Sequence, residues 1–259
     1  LFKLFEVLMK IKGFTPVEVF STSFADIFKP AFTLAEVLIT LGIIGIVAAM
    51  TLPSILQKRE RLSIVVALKK FYSSFQNAIN LSQLDHGPAV NWDTKTDYND
   101  TEAMYAWFDE YVIQYMKILV NCNKDNNKAC FHNYSYSTFP GESNIPSSSM
   151  ANTRIMYIFQ DGSAFTAITG GGTESMSRIF HIIFDTNGYR KPNAYGQDIF
   201  SFRYNKGKIY CDDHKSVTGG SVAASDSRDT LLDACKNNPQ VCSCLIMHDG
   251  WEIKDDYPW

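Results

Sequence analysis

A run of twenty uncharged, mostly apolar residues, from Val37 to Leu56, constrains this chain more than any other feature. As an α-helix the run would be about 30 Å long at roughly 1.5 Å per residue, which matches the hydrocarbon thickness of a bilayer. A cleaved secretory signal has a shorter apolar core of about 7–15 residues, and a small-residue cleavage site follows it. Here the charged residues 58–61 and more helix-like sequence follow instead. The run therefore predicts a membrane-spanning helix.

Glu36 stands directly before this run and is the only charged residue between Phe32 and Gln57. An ionised carboxylate in lipid costs about 2.5 kcal/mol or more unless it is paired, so such residues usually have a function. Glu36 is therefore a candidate functional residue.

Residues 29–36, which read KPAFTLAE, are followed directly by the apolar helix. This segment resembles the prepilin cleavage and methylation segment of type IV pilins and type II secretion pseudopilins. The resemblance implies a cut between Ala31 and Phe32 by prepilin peptidase, and N-methylation of Phe32. It makes Glu36 the glutamate that the family carries near its mature N-terminus, and Pro53 the proline that kinks the family's helix. The residue before the cut is usually glycine, whereas this chain has alanine.

The resemblance also implies a function and a location. The chain would be a structural subunit, not an enzyme, of a type II secretion or type IV pilus-like filament. Its expected partners are prepilin peptidase, other pilin or pseudopilin subunits, an inner-membrane assembly platform and the lipid bilayer. In the filament, Glu36 would compensate the charged N-terminus of a neighbouring subunit, because two opposite charges leave water together at lower cost than either alone. The alternative is an exported enzyme or metal-binding module that uses a pilin-like anchor.

A second, partial copy of the segment lies at 12–18, where Gly13, Phe14 and Glu18 have matching spacing. Residues 19–30 are too polar to form a membrane span, so we expect the cut at Phe32 and not at Phe14.

Two arguments about topology disagree. Lys58, Arg59 and Arg61 follow the span, whereas only Lys29 closely precedes it, so the positive-inside count would keep the C-terminal part in the cytoplasm. The resemblance predicts the opposite: a single-pass protein of the bacterial inner membrane with its C-terminal domain outside the cytoplasm. All six cysteines lie beyond residue 120, which favours this second arrangement, because disulfides persist in oxidising compartments.

The remaining chain predicts an α+β domain in which a long N-terminal helix packs on a C-terminal antiparallel sheet. We expect a leader at 1–31, a transmembrane or filament-core helix at 32–57, its amphipathic continuation at 58–87, and an exported domain at 88–259. Apolar residues spaced by three and four mark the continuation as amphipathic and ending near residue 86: Val65, Leu68, Tyr72, Phe75 and Ile79.

Beyond residue 88, the pattern predicts a short helix over Thr101–Leu119 and then a meander of four or five strands. Asp161-Gly162 separates two apolar runs, which is a strong hairpin signal. A single helix laid on such a sheet buries its apolar face.

The cysteines are candidates for disulfides. Cys122 and Cys130 bracket a short polar turn that a local disulfide would close, whereas the pairing among Cys211, Cys235, Cys242 and Cys244 stays open. The alternative is zinc bound by some of these cysteines with His248 or His214, but the usual pair of closely spaced cysteine knuckles is absent.

Calcium is a further candidate ligand. Asp185, Asn187 and Asp198 supply oxygens from one loop, although an ordinary Asx-rich turn would have the same composition. Major pseudopilins bind calcium in a comparable loop. No nucleic-acid partner is expected, because 24 basic and 27 acidic residues give a net charge of −3.

Overall fold

The computed structural model describes residues 32–92, 100–122, 130–131, 134–137, 153–169, 179–211 and 225–258. The predicted α+β class is confirmed, since a long N-terminal helix is followed by an antiparallel sheet. The chain divides into two compact units, Leu1–Pro53 and Ser54–Trp259.

Helix α1 runs over Leu34–His86 and contains Pro53. Its predicted end is confirmed: Gly87 follows with a φ of 76°, a left-handed conformation that glycine adopts without strain and that commonly ends helices.

The sheet is a six-stranded meander in which each strand pairs antiparallel with the next along the chain. The predicted Asp161-Gly162 hairpin joins β2 to β3. The strands are β1 (Ile118–Cys122), β2 (Ile155–Phe159), β3 (Ala164–Thr169), β4 (Ile179–Asp185), β5 (Ile199–Asn205) and β6 (Lys208–Cys211).

The predicted helix over 101–119 was too long. Helix α2 covers Thr101–Tyr111, and Asp100 caps it by accepting a hydrogen bond from the Ala103 N–H at 2.9 Å. Residues 118–122 form β1, because they find a partner strand in β2 that the sequence pattern alone does not show.

The second half of α1 packs on this sheet, as the apolar stripe predicted. Val65, Leu68, Phe75 and Ile79 are buried, and so is Phe71, whose ring stacks on that of Phe184 with centroids 4.2 Å apart. Tyr72, predicted in the same stripe, is only half-buried and packs beside Trp251 at 5.1 Å.

The opposite face of the sheet is covered too. A second core cluster lies there, built from aromatic and apolar side chains that include Phe131, Tyr134, Met156, Ile183 and Tyr195. Both faces of the central strands are therefore buried, which explains why all six residues of β3 are inaccessible.

Two short helices near the C-terminus were missed by sequence reasoning: α3 (Arg228–Asn237) and α4 (Cys242–His248). Ser227 caps α3, since its side chain accepts a hydrogen bond from the Thr230 N–H. Helix α4 lies against the sheet, where the Ser243 hydroxyl donates to the Ser201 carbonyl at 2.6 Å.

Candidate functional site

Glu36 takes part in a reciprocal hydrogen-bond pattern at the start of α1. Its carboxylate accepts from the Thr33 N–H at 2.8 Å and from the Thr33 hydroxyl at 2.9 Å, while the Glu36 N–H donates back to that hydroxyl at 3.2 Å. This is a capping box, in which a threonine and a glutamate three residues later satisfy free N–H groups at a helix start. Glu36 thus has a local structural role besides its candidate assembly role.

The first half of α1 has no buried residue between Leu34 and Pro53. Among the described residues, α1 is the one helix long and apolar enough to cross a membrane, by length and composition only. Its most apolar 18-residue window is entirely unburied, unlike the core helix of a soluble protein. Phe32 is also exposed, whereas Ala31 lies outside the described residues.

The β4–β5 loop brings Asp185, Asn187 and Asp198 together. The Asn187 side-chain amide donates to Asp198 Oδ2 at 3.1 Å. Asp198 also accepts from the Asn193 and Ala194 backbone N–H groups at 2.9 and 2.8 Å, so its carboxylate organises the loop. Asp185 Oδ1 accepts from the backbone N–H groups of Asn187 and Gly188, an Asx turn.

This loop holds buried carboxyl groups and unpaired amide oxygens. Burial raises the pKa of Asp185 to about 8, and the neighbouring Asp198 carboxylate contributes in the same direction. Burial also raises the pKa of Asp198. Within the described ranges, the buried amide oxygens Asn187 Oδ1 and Asn193 Oδ1 have no hydrogen-bond partner, whereas the Asp185 carboxyl has the Tyr134 hydroxyl beside it as a partner. Carboxylate and amide oxygens of this kind are calcium ligands, so the residues present fit that ion in chemical type.

Asn193 was missed by sequence reasoning. It has a φ of 52°, a conformation that asparagine tolerates better than most residues, and its N–H reaches Asp198. A polar residue after a proline is common in Asx-rich loops, so the sequence pattern does not predict that Asn193 bonds to Asp198.

The six cysteines form three disulfides: Cys122–Cys130, Cys211–Cys244 and Cys235–Cys242. The local pair was predicted, and the other two resolve the pairing that the sequence left open. None of the six cysteines is therefore free in the structure. His214 lies outside the described residues. Within the described ranges, no group of three or more His, Cys, Asp or Glu side chains could hold a metal ion.

These features define a disulfide-bonded α+β unit that follows an apolar helix. The chain belongs to the family of unknown function DUF6613, whose family model matches residues 54–259. The match thus begins at the first residue of the second compact unit. Neither the curated proteins nor the solved structures contain a match to the chain.

Proposed function

We propose that the chain is a structural subunit of a type II secretion or type IV pilus-like filament, cut before Phe32 and N-methylated there by prepilin peptidase. Before assembly the subunit is stored in the bacterial inner membrane, with its disulfide-bonded domain outside the cytoplasm. An assembly platform then moves it from the bilayer into a filament of like subunits. It acts by assembly and not by catalysis.

The first half of α1 carries this proposal. Its side chains are apolar on every face and none is buried, so their surface needs lipid or other helices as surroundings. The prepilin-like segment at 29–36 directly precedes this surface. Three disulfides support the placement outside the cytoplasm, where such bonds persist.

Glu36 would serve assembly by exchanging partners. In the single chain its carboxylate is bonded to Thr33. In a filament it would face the charged, methylated N-terminus of a neighbouring subunit, and that ion pair lowers the cost of placing both charges among apolar helices.

The capping box allows the two roles to be separated. Glu36→Gln removes the charge but keeps a side chain that a capping box accepts, whereas Glu36→Ala removes both. We expect both variants to insert into the membrane and both to lose cross-linked multimers, measured by chemical cross-linking of membranes from cells with the assembly system. Glu60→Gln is the matched control, because Glu60 is an exposed glutamate later on α1. Undiminished multimers in Glu36→Gln would show that its charge has no assembly role.

We also propose that the β4–β5 loop binds calcium, and the buried amide oxygens of Asn187 and Asn193, which have no partner among the described residues and lie in one loop with the Asp185 and Asp198 carboxyls, are the observation that favours it. With Asp198, these side chains would hold the ion. The ion would supply positive charge beside two carboxylates whose burial otherwise disfavours ionisation.

The test is the melting temperature of the full chain in lipid nanodiscs with calcium, with magnesium or with a chelator. We expect calcium, but not magnesium, to raise it, and Asp198→Asn to abolish the rise. Asp161→Asn is the control, because Asp161 is an exposed aspartate on the β2–β3 turn. An equal melting temperature with and without calcium would contradict this second proposal and leave the filament proposal intact.

A further inference from the structure

A cleft of about 340 Å³ opens in the second unit between α1, the segment before β1 and the β2–β3 turn. Phe71, Phe159 and Phe184 line its floor; Phe159 is half-buried, whereas Phe71 and Phe184 are only 3% and 2% exposed. The Phe71 and Phe184 rings stack at 4.2 Å, and Phe159 meets Phe71 edge-on at 6.1 Å. We call this site the phenylalanine cleft.

The rim of the phenylalanine cleft has an excess of positive charge. Lys70, Lys117 and Asp161 line it. Lys70 Nζ lies 2.6 Å from Asp161 Oδ2, and Asp161 Oδ1 accepts from the Ser163 N–H and hydroxyl. The Lys117 side chain is exposed and forms no hydrogen bond or ion pair with any residue of the described ranges. One lysine charge therefore remains uncompensated beside the aromatic floor.

We propose that the phenylalanine cleft binds a small amphiphile with one aromatic ring or short acyl chain and one carboxylate. The volume lies at the lower end of the range of about 300–1,000 Å³ that is usual for small-molecule sites. The apolar part would lie against Phe159, the half-buried one of the three phenylalanines, and be removed from water. The carboxylate would pair with Lys117.

The charges also indicate which ligands are disfavoured. A cationic amphiphile of the same shape would meet two lysines, and the one carboxylate on the rim is already bonded to Lys70 and Ser163. The proposal does not depend on the filament function, since it uses no residue of the prepilin-like segment.

The first experiment compares ligands that differ in charge. We would titrate the full chain, in nanodiscs of uncharged phosphatidylcholine, with 4-phenylbutyrate and with 4-phenylbutylamine by calorimetry. Nanodiscs replace detergent because a detergent is itself an amphiphile. We expect the acid to bind about five-fold more tightly than the amine, as a single partly exposed ion pair allows. Equal affinities would overturn the proposal.

Charge-reversal variants localise the effect. Lys117→Glu should weaken binding of 4-phenylbutyrate at least about five-fold, because attraction becomes repulsion. Lys69→Glu is the matched control: Lys69 is also exposed, precedes Lys70 on α1 and does not line the cleft. It should change the affinity less than about two-fold, since only long-range charge is altered. An equal loss in the two variants would assign binding to the overall charge and contradict the proposal.

A second pair of variants tests the cleft by shape. Ser74 is exposed and lines the phenylalanine cleft, whereas the neighbouring Ser73 is exposed but does not line it. Ser74→Trp should fill the mouth and abolish binding, and Ser73→Trp should bind as the unchanged chain does. Melting curves verify that both variants fold. Binding retained in a folded Ser74→Trp variant would place the ligand elsewhere and overturn the assignment.

Discussion

The two halves of α1 differ in what stabilises them. From Leu34 to Pro53 no side chain is buried, and the side-chain hydrogen bonds that the structure describes there are local, such as Thr51 to the Val47 carbonyl. From Ser54 onward, one stripe of the same helix is buried against the sheet. A helix that is apolar all round needs an apolar environment, whereas an amphipathic helix needs a packing partner. The comparison indicates that the second unit is stable by itself and that the first depends on its surroundings.

The largest effect on stability should come from the second half of α1, which packs in the core. Phe71→Ala should lower the free energy of unfolding by about 3–5 kcal/mol, the usual cost of deleting a buried ring. Ile44→Ala, in the exposed first half, should change it by less than about 0.5 kcal/mol. Guanidinium unfolding in nanodiscs, followed by tryptophan fluorescence, is the measurement, since all four tryptophans follow Pro53. Equal losses would show that the two halves are stabilised together.

The next-largest effects should come from removing the two C-terminal disulfides, and the loss of stability should differ between them. Cys211–Cys244 spans 33 residues and Cys235–Cys242 spans 7. Loop-closure entropy makes the first worth about 4 kcal/mol and the second about 2 kcal/mol. Replacing each pair by alanines and repeating the unfolding tests this order. A larger loss from the short-range pair would contradict it.

A further effect concerns pH, and its size per pH unit should be smaller than the loss of either disulfide. The pKa of Asp185 is about 8 in the folded chain against an ordinary 3.8, so the unfolded state loses its proton first as pH rises. Stability that is fully present below pH 4 should therefore fall as pH rises toward 8, by at most about 1.4 kcal/mol per pH unit. Asp185→Asn should flatten this slope. The slope is measured by unfolding in chelator-containing buffers between pH 5.5 and 8.5. An unchanged slope in the variant would show that groups other than Asp185 cause the pH dependence.

The smallest effect should be confined to the start of α1. Thr33→Ala removes the capping hydroxyl, a loss of about 1 kcal/mol in local helix stability, or about five-fold in amide protection. Hydrogen exchange of the first-turn amides measures it. Unfolding of the second unit should not change, and a change there would show that the cap supports more than its own turn.

Much of the fold could be predicted because it depends on local patterns. The apolar stripe of α1 and the Asp161-Gly162 turn identify themselves by spacing and residue type. By contrast, β1 is defined by its pairing with β2, more than 30 residues later along the chain, and no local pattern encodes that contact. Helix α3 was missed because its sequence is mostly polar, and α4 because a seven-residue helix shows too little periodicity. The disulfides to their cysteines only become evident in three dimensions.

The candidate sites also differ in whether local sequence could predict them. Asp185, Asn187 and Asp198 could be grouped because they lie on one loop, and they do meet. The capping role of Glu36 could have been found from the Thr33-to-Glu36 spacing, which is the sequence signature of a capping box. The phenylalanine cleft could not be predicted, because the residues that line it come from four segments that are distant along the chain.

The mature N-terminus is the most direct test of the filament proposal. The full-length gene product, expressed in cells with active prepilin peptidase, would be purified from membranes and its N-terminal peptide sequenced by mass spectrometry. The account predicts a chain that begins with N-methylated Phe32. An N-terminus at Phe14, or a retained leader in those cells, would contradict it.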